Sequence, residues 1–423
     1  MAHPSLSGSD YFHLLIDRKM KRFGMAGNIS RIHFELDENT DLDAISESVK
    51  QNTTFLKVCS VRYKTRWPLL PIWVETKRQT ENVLVTTGIS VAEFETAFLN
   101  RKVDNEIGLV WIDLCKLENG SKHAVIAMHH ALFDHQGMVN FIYALNDDFS
   151  GPLFRQTEPN SLWKVIVNAG LMNLELFKRS VWRLGSFFEG RKPQRLTPEY
   201  RTIQFTEDES KSISENAWKA GSKIGESTFH ISVVAQSVFS ILKARNSSVP
   251  YLWFSIPHNQ RKLGTRGHLL SNKLSFLFFR LNESELKSTK IAVSSILDQL
   301  KAQIKSHATE KYVDLMKMMR FVPMPVYEKM VSVPSRGRLS SFGFSDLGND
   351  QLTMKTFCGA QIKSVFRIPP IPSPPGFNVA TVKTEKGLQM MLAFAKQLFT
   401  EQEIEMLVSG IREGMLTKIS DDA

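Results

Sequence analysis

An apolar run that ends in two histidines is the most informative part of the sequence: Ala124-Val125-Ile126-Ala127-Met128-His129-His130-Ala131-Leu132-Phe133-Asp134-His135-Gln136-Gly137. The apolar residues predict a buried strand. Because side chains alternate between the two faces of a strand, one histidine should point into a cavity and the other into the packing. We predict that His130 is the working base, since Asp134 is spaced to fold back beneath it, and that Gly137 closes the turn.

The residues around the two histidines favour a functional site. A run at helical spacing follows the motif and predicts a helix after a short loop. Two core histidines bonded to backbone groups are an alternative, but burying two imidazoles and a carboxylate costs free energy unless all are partnered. A metal site is another alternative, but no third or fourth ligand lies nearby at suitable spacing. We therefore expect no metal.

Length and composition limit the class of protein. A chain of 423 residues is too long for one ordinary core, so two domains or two lobes are expected. Cys59, Cys115 and Cys358 are few and far apart, which favours a reducing compartment over a disulfide framework. We find neither a secretory signal nor an apolar run long enough to span a membrane, so we expect a cytoplasmic protein.

The formal net charge of +10 favours an acidic partner. Candidates are the phosphates of a nucleotide-bearing cofactor or thioester carrier, an acidic carrier protein, and an anionic membrane surface. Nucleic acid is not expected, because the Lys and Arg residues are spread along the chain and no basic helix is interleaved with aromatic residues.

Residues 161–189 carry a single apolar stripe at helical spacing with basic residues between its members, namely Trp163, Ile166, Leu174, Phe177, Val181, Leu184 and Phe188. One interpretation is a long inter-lobe helix packed on the protein and followed by a basic linker. The other is an interfacial segment on anionic lipid, which would make the protein a peripheral membrane protein. The composition changes after the linker, so we place the domains at 1–160, 161–198 and 199–423.

Several motifs resemble those of a known superfamily. The motif from His129 to Asp134 resembles the HHxxxD signature of condensation domains and coenzyme A-dependent acyltransferases. Residues 256–261, which end in Arg261, and the later Asn272 resemble its proline-to-arginine segment and the asparagine that follows. Residues 340–348 resemble its serine-rich strand and turn. The layout is most similar to the wax ester synthase and diacylglycerol acyltransferase branch and to alcohol acetyltransferase-like members.

The resemblance implies an α/β fold with two chloramphenicol-acetyltransferase-like αβα lobes that form a V around a central tunnel. An acyl thioester would enter from one face and a nucleophile from the other, with His130 between them and His129 beside it. Asp134 would be structural and would pair with Arg261. Gly137, Asn272 and Asp346 complete the candidate substrate-binding or structural residues.

The chemistry expected of His130 follows from its side chain. A neutral imidazole can take a proton from a hydroxyl or amine as that group attacks a thioester carbonyl. The oxyanion that develops needs a hydrogen-bond donor, and Ser340 or Ser341 is the candidate.

Three functions therefore stay open. The leading one is an acyltransferase, monomeric and without a tightly bound cofactor, that moves an acyl group from acyl-CoA to an alcohol, including a lipid or long-chain alcohol. The second is a free-standing condensation domain that joins carrier-bound acyl groups to an amine or alcohol, and it requires a separate carrier. The third is a non-catalytic binding protein of the same fold, because His135 stands where the superfamily usually has glycine.

Overall fold

A computed structural model describes residues 4–65, 67–76, 81–146, 161–179, 184–189, 191, 193–245, 247, 249–261, 272–332 and 337–420. Its helices are α1 (Gly8–Arg22), α2 (Leu42–Gln51), α3 (Thr53–Cys59), α4 (Val91–Glu93), α5 (His135–Asn146), α6 (Leu162–Arg179), α7 (Glu207–Lys219), α8 (Ser227–Ala244), α9 (Thr289–Lys305), α10 (Ala308–Met319), α11 (Met324–Ser332) and α12 (Glu401–Leu416). Its strands are β1 (Ile29–Leu36), β2 (Val61–Lys64), β3 (Ile72–Glu75), β4 (Val83–Ile89), β5 (Val110–Leu117), β6 (Lys122–His129), β7 (Pro198–Gln204), β8 (Tyr251–Asn259), β9 (Leu274–Asn282), β10 (Gly343–Asn349), β11 (Thr356–Phe357), β12 (Ala360–Ile368), β13 (Phe377–Thr384) and β14 (Gly387–Ala395).

Two larger sheets form the two lobes. The first has six strands in the order β11-β12-β1-β6-β5-β4, and the second has four in the order β10-β13-β14-β7. In the first sheet β6 lies antiparallel between β1 and β5, and Ile29 stands opposite His129. This register brings the end of β6, and so the two histidines, to the edge of the sheet where β1 begins.

One segment of the predicted C-terminal lobe pairs with the N-terminal sheet. Strand β12 lies antiparallel to β1, with Arg367 opposite Ile32, and β11 extends the sheet beyond it. The domain boundary predicted at residue 199 therefore does not separate the two sheets. The edge of β1 that does not pair with β6 is filled by β12, which comes much later in the sequence. The proline-rich residues 369–376 cannot pair as a central strand, because proline has no backbone N–H to donate. They carry the chain back to β13 without joining a ladder.

Two local predictions were wrong. The helix predicted through residue 188 ends at Arg179, and 184–189 are not helical; residues 180–183 lie outside the described ranges. Gly185 packs so closely that an added Cβ would lie 2.5 Å from the Val249 side chain. To make this contact, the chain at Gly185 follows a different direction from that of α6. The continuous apolar run from residue 251 to 257 predicts a strand covered on both faces. In the structure β8 pairs with β9 alone in its sheet, and only Leu252 and Phe254 of the strand are buried.

Helix α1 is tied to both lobes and carries several buried polar residues. It begins with a capping box in which Ser7 accepts from the Asp10 N–H and Asp10 accepts from the Ser7 N–H. Its buried Lys19 donates to Ser332 of α11 over 2.9 Å. The helix is thus fixed at both ends between elements that are far apart in the sequence.

Candidate active site

His130 stands just past the end of β6, where the chain leaves the sheet. Its backbone N–H donates to the Asn28 carbonyl over 2.9 Å. The Nδ1 atom lies on the buried side of the ring, so Nε2 is the nitrogen that faces the cavity. Burial lowers the pKa of His130, an effect that the Asp134 carboxylate opposes, so the imidazole is neutral at pH 7.

His129 points the other way, into the packing, as strand alternation predicts. Its side chain is fully buried, and Nδ1 accepts the Ala131 N–H over 3.1 Å. That bond leaves Nε2 to carry the proton, and Nε2 lies 3.2 Å from the Asp17 carboxylate. His129 does not line the cavity, so its predicted place among the catalytic residues is replaced by a positioning role.

Asp17 of α1 fixes the other side of this contact. It also accepts the Asn28 N–H over 2.9 Å and pairs with Lys21 over 2.8 Å. Burial alone would raise the pKa of Asp17, but His129 and Lys21 outweigh burial and lower it to about 2. Gly27 lets the backbone pass, since an added Cβ would lie 2.2 Å from the carboxylate and φ is +119°.

The Asp134 side chain is buried beside the cavity and is bonded on several sides. It forms a buried ion pair with Arg261 over 2.5 Å, the pairing that the superfamily resemblance implies. Its carboxylate also accepts the backbone N–H groups of Gly137 and Lys273, each over 2.9 Å. It therefore caps helix α5 and joins the first lobe to the segment before β9.

Asn272 holds the loop that carries His130. Its Nδ2 donates to the carbonyl groups of His130 and Ala131 over 3.0 and 2.7 Å, and lies 3.1 Å from the Asp10 carboxylate. Asp10 thus connects the capping box of α1 to this loop. Asn272, a candidate site residue from the sequence, therefore lies beside His130 and contacts the backbone of its loop.

His13 of α1 covers His130, and the sequence analysis missed it. The two rings stack with centroids 4.0 Å apart and planes 10° apart. Asn28 donates to His13 Nδ1 over 3.1 Å, which fixes the ring as the Nε2–H tautomer. Burial lowers the pKa of His13 well below its ordinary value, and His130 and His129 lower it further.

The sequence does contain a signal for these missed residues. Asp10, His13 and Asp17 are spaced by three and four residues, so they share one face of α1. Polar side chains on the buried face of a helix are unusual and mark a network.

A cavity of about 370 Å³ lies between the lobes and reaches His130. The first lobe contributes His13, His130 and His135, together with residues of β1 and β12. The second contributes apolar side chains of the β8–β9 hairpin and α10 (Phe276, Phe278 and Tyr312) and residues of β10 and β13. Apolar side chains thus form much of the wall, and polar and charged side chains of both lobes, the imidazole of His130 among them, line the rest.

The predicted second-lobe residues separate into two groups. Ser340 and Asp346 line the cavity. Ser341 does not: it is fully buried, its Oγ accepts the Trp253 N–H over 3.0 Å and its N–H donates to the Trp253 carbonyl over 2.6 Å. Ser341 therefore joins the start of β10 to β8, which leaves Ser340 as the candidate oxyanion donor of the pair.

His135 lies on the cavity wall at the start of α5. Burial and the nearby Arg367 guanidinium lower its pKa to about 4, so the ring is neutral at pH 7. Arg367 pairs with Asp350, which follows β10, and so joins the two lobes. The side chain that replaces the usual glycine thus narrows the cavity without adding charge.

Within the described ranges, no three His, Cys, Asp or Glu side chains come together in a group that could hold a metal ion. The histidines of the site are engaged with one another, with Asp17 and with Asn28.

Comparison with solved structures identifies the fold. The first condensation domain of the calcium-dependent antibiotic synthetase matches with a TM-score of 0.65 and 14% identity over 99% of this chain and 97% of that domain. Trichothecene 15-O-acetyltransferase from Fusarium sporotrichioides matches with a TM-score of 0.68 and 11% identity over 97% and 95% of the two chains. The wax ester synthase/diacylglycerol acyltransferase from Marinobacter aquaeolei matches with a TM-score of 0.60 and 10% identity over 98% and 99%. No family model and no curated protein matches the sequence.

The chain has the two-lobe α/β fold shared by condensation domains and the acyltransferases related to them. The fold class predicted from the sequence is confirmed, and the solved structures that match belong to the groups of proteins that the motifs resemble. Identities of 10–14% establish the architecture, and the chemistry has to be argued from the site.

Proposed function

We propose that the protein is an acyltransferase that moves an acyl group from an acyl-CoA thioester to an alcohol, with His130 as the general base. The observation that carries the proposal is the position of His130: a half-buried, neutral imidazole that presents Nε2 to a cavity between two lobes. A base with these properties suits proton transfer from a weakly acidic hydroxyl.

The reaction needs one proton carrier. His130 Nε2 takes the hydroxyl proton as the alcohol oxygen forms a bond to the thioester carbonyl carbon. The tetrahedral oxyanion is stabilised by the Ser340 hydroxyl, which faces the cavity. The intermediate collapses by breaking the C–S bond, and the leaving thiolate takes the proton from His130. The products are an ester and free coenzyme A, and the imidazole returns to its neutral state.

The surrounding residues keep the base in place. Asn272 holds the carbonyl groups of His130 and Ala131, and His13 lies flat against the imidazole. Such fixed geometry reduces the reorganisation needed at the moment of proton transfer. Asp134 acts through the loop and through Arg261, without taking a proton itself.

The apolar wall supports an acceptor or acyl group with a hydrophobic body. Phe276, Phe278 and Tyr312 supply aromatic surface on the second-lobe side. A long-chain or lipid alcohol fits this lining better than a small polar acceptor does. Acyl-CoA enters as a co-substrate that leaves after each turnover.

A second candidate is a condensation reaction in which a separate acidic carrier protein delivers the acyl group. This candidate is supported by the similarity of the chain to a condensation domain over nearly the full length of that domain. The same base and cavity would serve an amine or alcohol acceptor. The two candidates differ in the donor: a free acyl-CoA thioester in one, a thioester on a protein carrier in the other.

Thiol release tests the proposal. Purified protein is incubated with acyl-CoA esters of short and long chains and a panel of alcohols, and free thiol is measured. We expect alcohol-dependent release, and a decrease of about 10²–10⁴-fold in His130→Ala, because general-base assistance has that size. His307→Ala, at an exposed histidine, is the matched control. Near-normal turnover in folded His130→Ala would contradict the base assignment, and release only from carrier-bound thioesters would favour the condensation reaction.

A further inference from the structure

Helix α6 exposes an unusual amount of apolar surface. Seven of the twenty large hydrophobic side chains that are exposed among the described residues lie on it, with exposed fractions of 39–73%: Leu162, Trp163, Ile166, Val167, Leu171, Leu174 and Phe177. A water-soluble helix normally turns such residues inward. The opposite side of the helix mixes apolar residues with Lys164, Asn168 and Glu175, so the more apolar half of this helix is the exposed one.

The exposed residues form one continuous face. At about 100° per residue, all seven fall within one half of the helix circumference. They span about 22 Å along the axis, at about 1.5 Å per residue. Gly170 lies near the centre of the same half, and the exposed polar Asn173 lies toward its margin, so the centre of the face carries no polar side chain.

The opposite side fixes the helix to the protein. Ala169 and Met172 are buried in a cluster that includes residues of α10, and Val165 is buried as well. Asn168 donates to Asp314 of α10 over 2.8 Å. The helix is thus anchored with its exposed apolar face directed away from its neighbour in the fold.

The charges on α6 indicate what covers this face. The helix carries Lys164 in its first turn, Lys178 and Arg179 in its last turn, and a single acidic residue, Glu175. The chain as a whole carries a net charge of +10. A second copy packed through this face would bring basic residues near one another, which costs free energy. An apolar face with basic residues matches a surface that is apolar within and anionic at its boundary.

We propose that α6 is an interfacial helix that docks the protein on an anionic lipid bilayer, with its exposed apolar side chains inserted at the boundary between headgroups and acyl chains. The helix lies on the surface and does not cross it: no helix in the described part of the chain is long and apolar enough to span a membrane. The docking is a property of the surface and does not depend on the reaction proposed for His130.

Vesicle flotation of the full chain tests this docking. Vesicles of phosphatidylcholine alone are compared with vesicles in which about 30 mol% of the lipid is the anionic phosphatidylglycerol. We expect binding to the anionic vesicles, at least a tenfold weaker partition to neutral ones, and a decrease at high salt because screening shortens the range of the charges.

The variant and its control are matched in residue type and exposure. Trp163→Ser/Leu171→Ser/Leu174→Ser changes the α6 face, and Trp218→Ser/Ile291→Ser/Ile304→Ser changes equally exposed residues of α7 and α9. We expect at least a tenfold loss of flotation in the first and none in the second, with thermal melting to show that both fold. If the triple variant does not fold, Trp163→Ser alone takes its place.

Two results would overturn the docking. One is flotation of the α6 variant at the wild-type level. The other is a wild-type protein that binds neither kind of vesicle, whatever its oligomeric state in sedimentation. If that protein is an oligomer that the α6 variant disrupts, the apolar face of α6 is assigned to a second copy of the chain.

Discussion

The imidazole of His13 lies flat on that of His130, with the two ring centroids 4.0 Å apart. His13 comes from α1 near the N-terminus, and His130 follows β6 more than a hundred residues later. The stack keeps water from one face of the candidate base, and burial is the largest cause of the lowered pKa of His130. His13 thereby adds to the burial that lowers the pKa of His130.

Removing the covering ring should move the pH dependence of the reaction. In His13→Ala, water reaches His130, so its pKa rises toward the ordinary value and more of the base is protonated below neutral pH. The acidic limb of kcat/KM against pH should shift to higher pH. His13→Phe keeps a flat ring in place and should leave the limb near its wild-type position. Equal profiles for all three proteins would show that the stack does not tune the base.

The buried ion pair between Asp134 and Arg261 should matter more for stability than its single contact suggests. Asp134→Asn takes the carboxylate partner from the Arg261 guanidinium, and Arg261→Met leaves the Asp134 carboxylate without its ion-pair partner in the interior. Each variant should lower the free energy of unfolding by about 3–5 kcal/mol. The double variant should lose less than the sum of the two, because neither charge is then left alone. Denaturant unfolding of the four proteins measures this, and additive losses would contradict the coupling.

Ser340 and Ser341 are adjacent but should differ in effect. Ser341→Ala leaves the buried Trp253 N–H without its side-chain acceptor and should cost about 1–3 kcal/mol of unfolding free energy with little change in kcat. Ser340→Ala should lower kcat by about 10²-fold, as loss of an oxyanion donor does, with little effect on stability. Thermal melting and steady-state kinetics on both variants separate the roles, and the opposite pattern would exchange the assignments.

A second histidine pair predicts loss of stability in mild acid. His33 Nε2 lies 3.0 Å from His123 Nδ1. Burial and His123 lower the pKa of His33 to about 3. Between an unfolded pKa near 6.5 and that value, the unfolded chain binds the proton more readily, so stability falls as pH falls.

The size of this acid effect can be checked by substitution. Each proton taken up on unfolding contributes a slope of about 1.4 kcal/mol per pH unit. His33→Phe, which keeps a ring against Phe366, should flatten the slope of unfolding free energy between pH 6 and 4. His307→Asn, at an exposed histidine, should leave the slope unchanged. An unaltered slope in His33→Phe would mean that other groups carry the acid sensitivity.

His135 should limit the size of the acceptor. His135 lies on the cavity wall at the start of α5, directly after Asp134. His135→Gly should raise kcat/KM for branched or bulky alcohols relative to straight-chain ones, at a cost of about 1 kcal/mol for glycine in the first turn of α5. Gln136→Ala, at the neighbouring lining residue, controls for a general loosening. Unchanged selectivity in His135→Gly would remove the ring from the acceptor side.

The sequence by itself determined the local parts of this protein. The apolar run before His129 specified β6, strand alternation separated the directions of His129 and His130, and the proline-rich segment could only be a loop. These features depend on periodicity and on backbone chemistry, which neighbouring residues decide.

The tertiary structure alone decided how distant residues meet. Arg261 reaches Asp134 across 127 positions, α1 brings His13 and Asp17 against the two histidines, and β12 joins the sheet of the opposite lobe. It also decided that α6 turns one apolar side to α10 and leaves the other exposed. Such contacts depend on how whole elements pack, and a single sequence records the polarity of a side chain without recording the partner that will satisfy it.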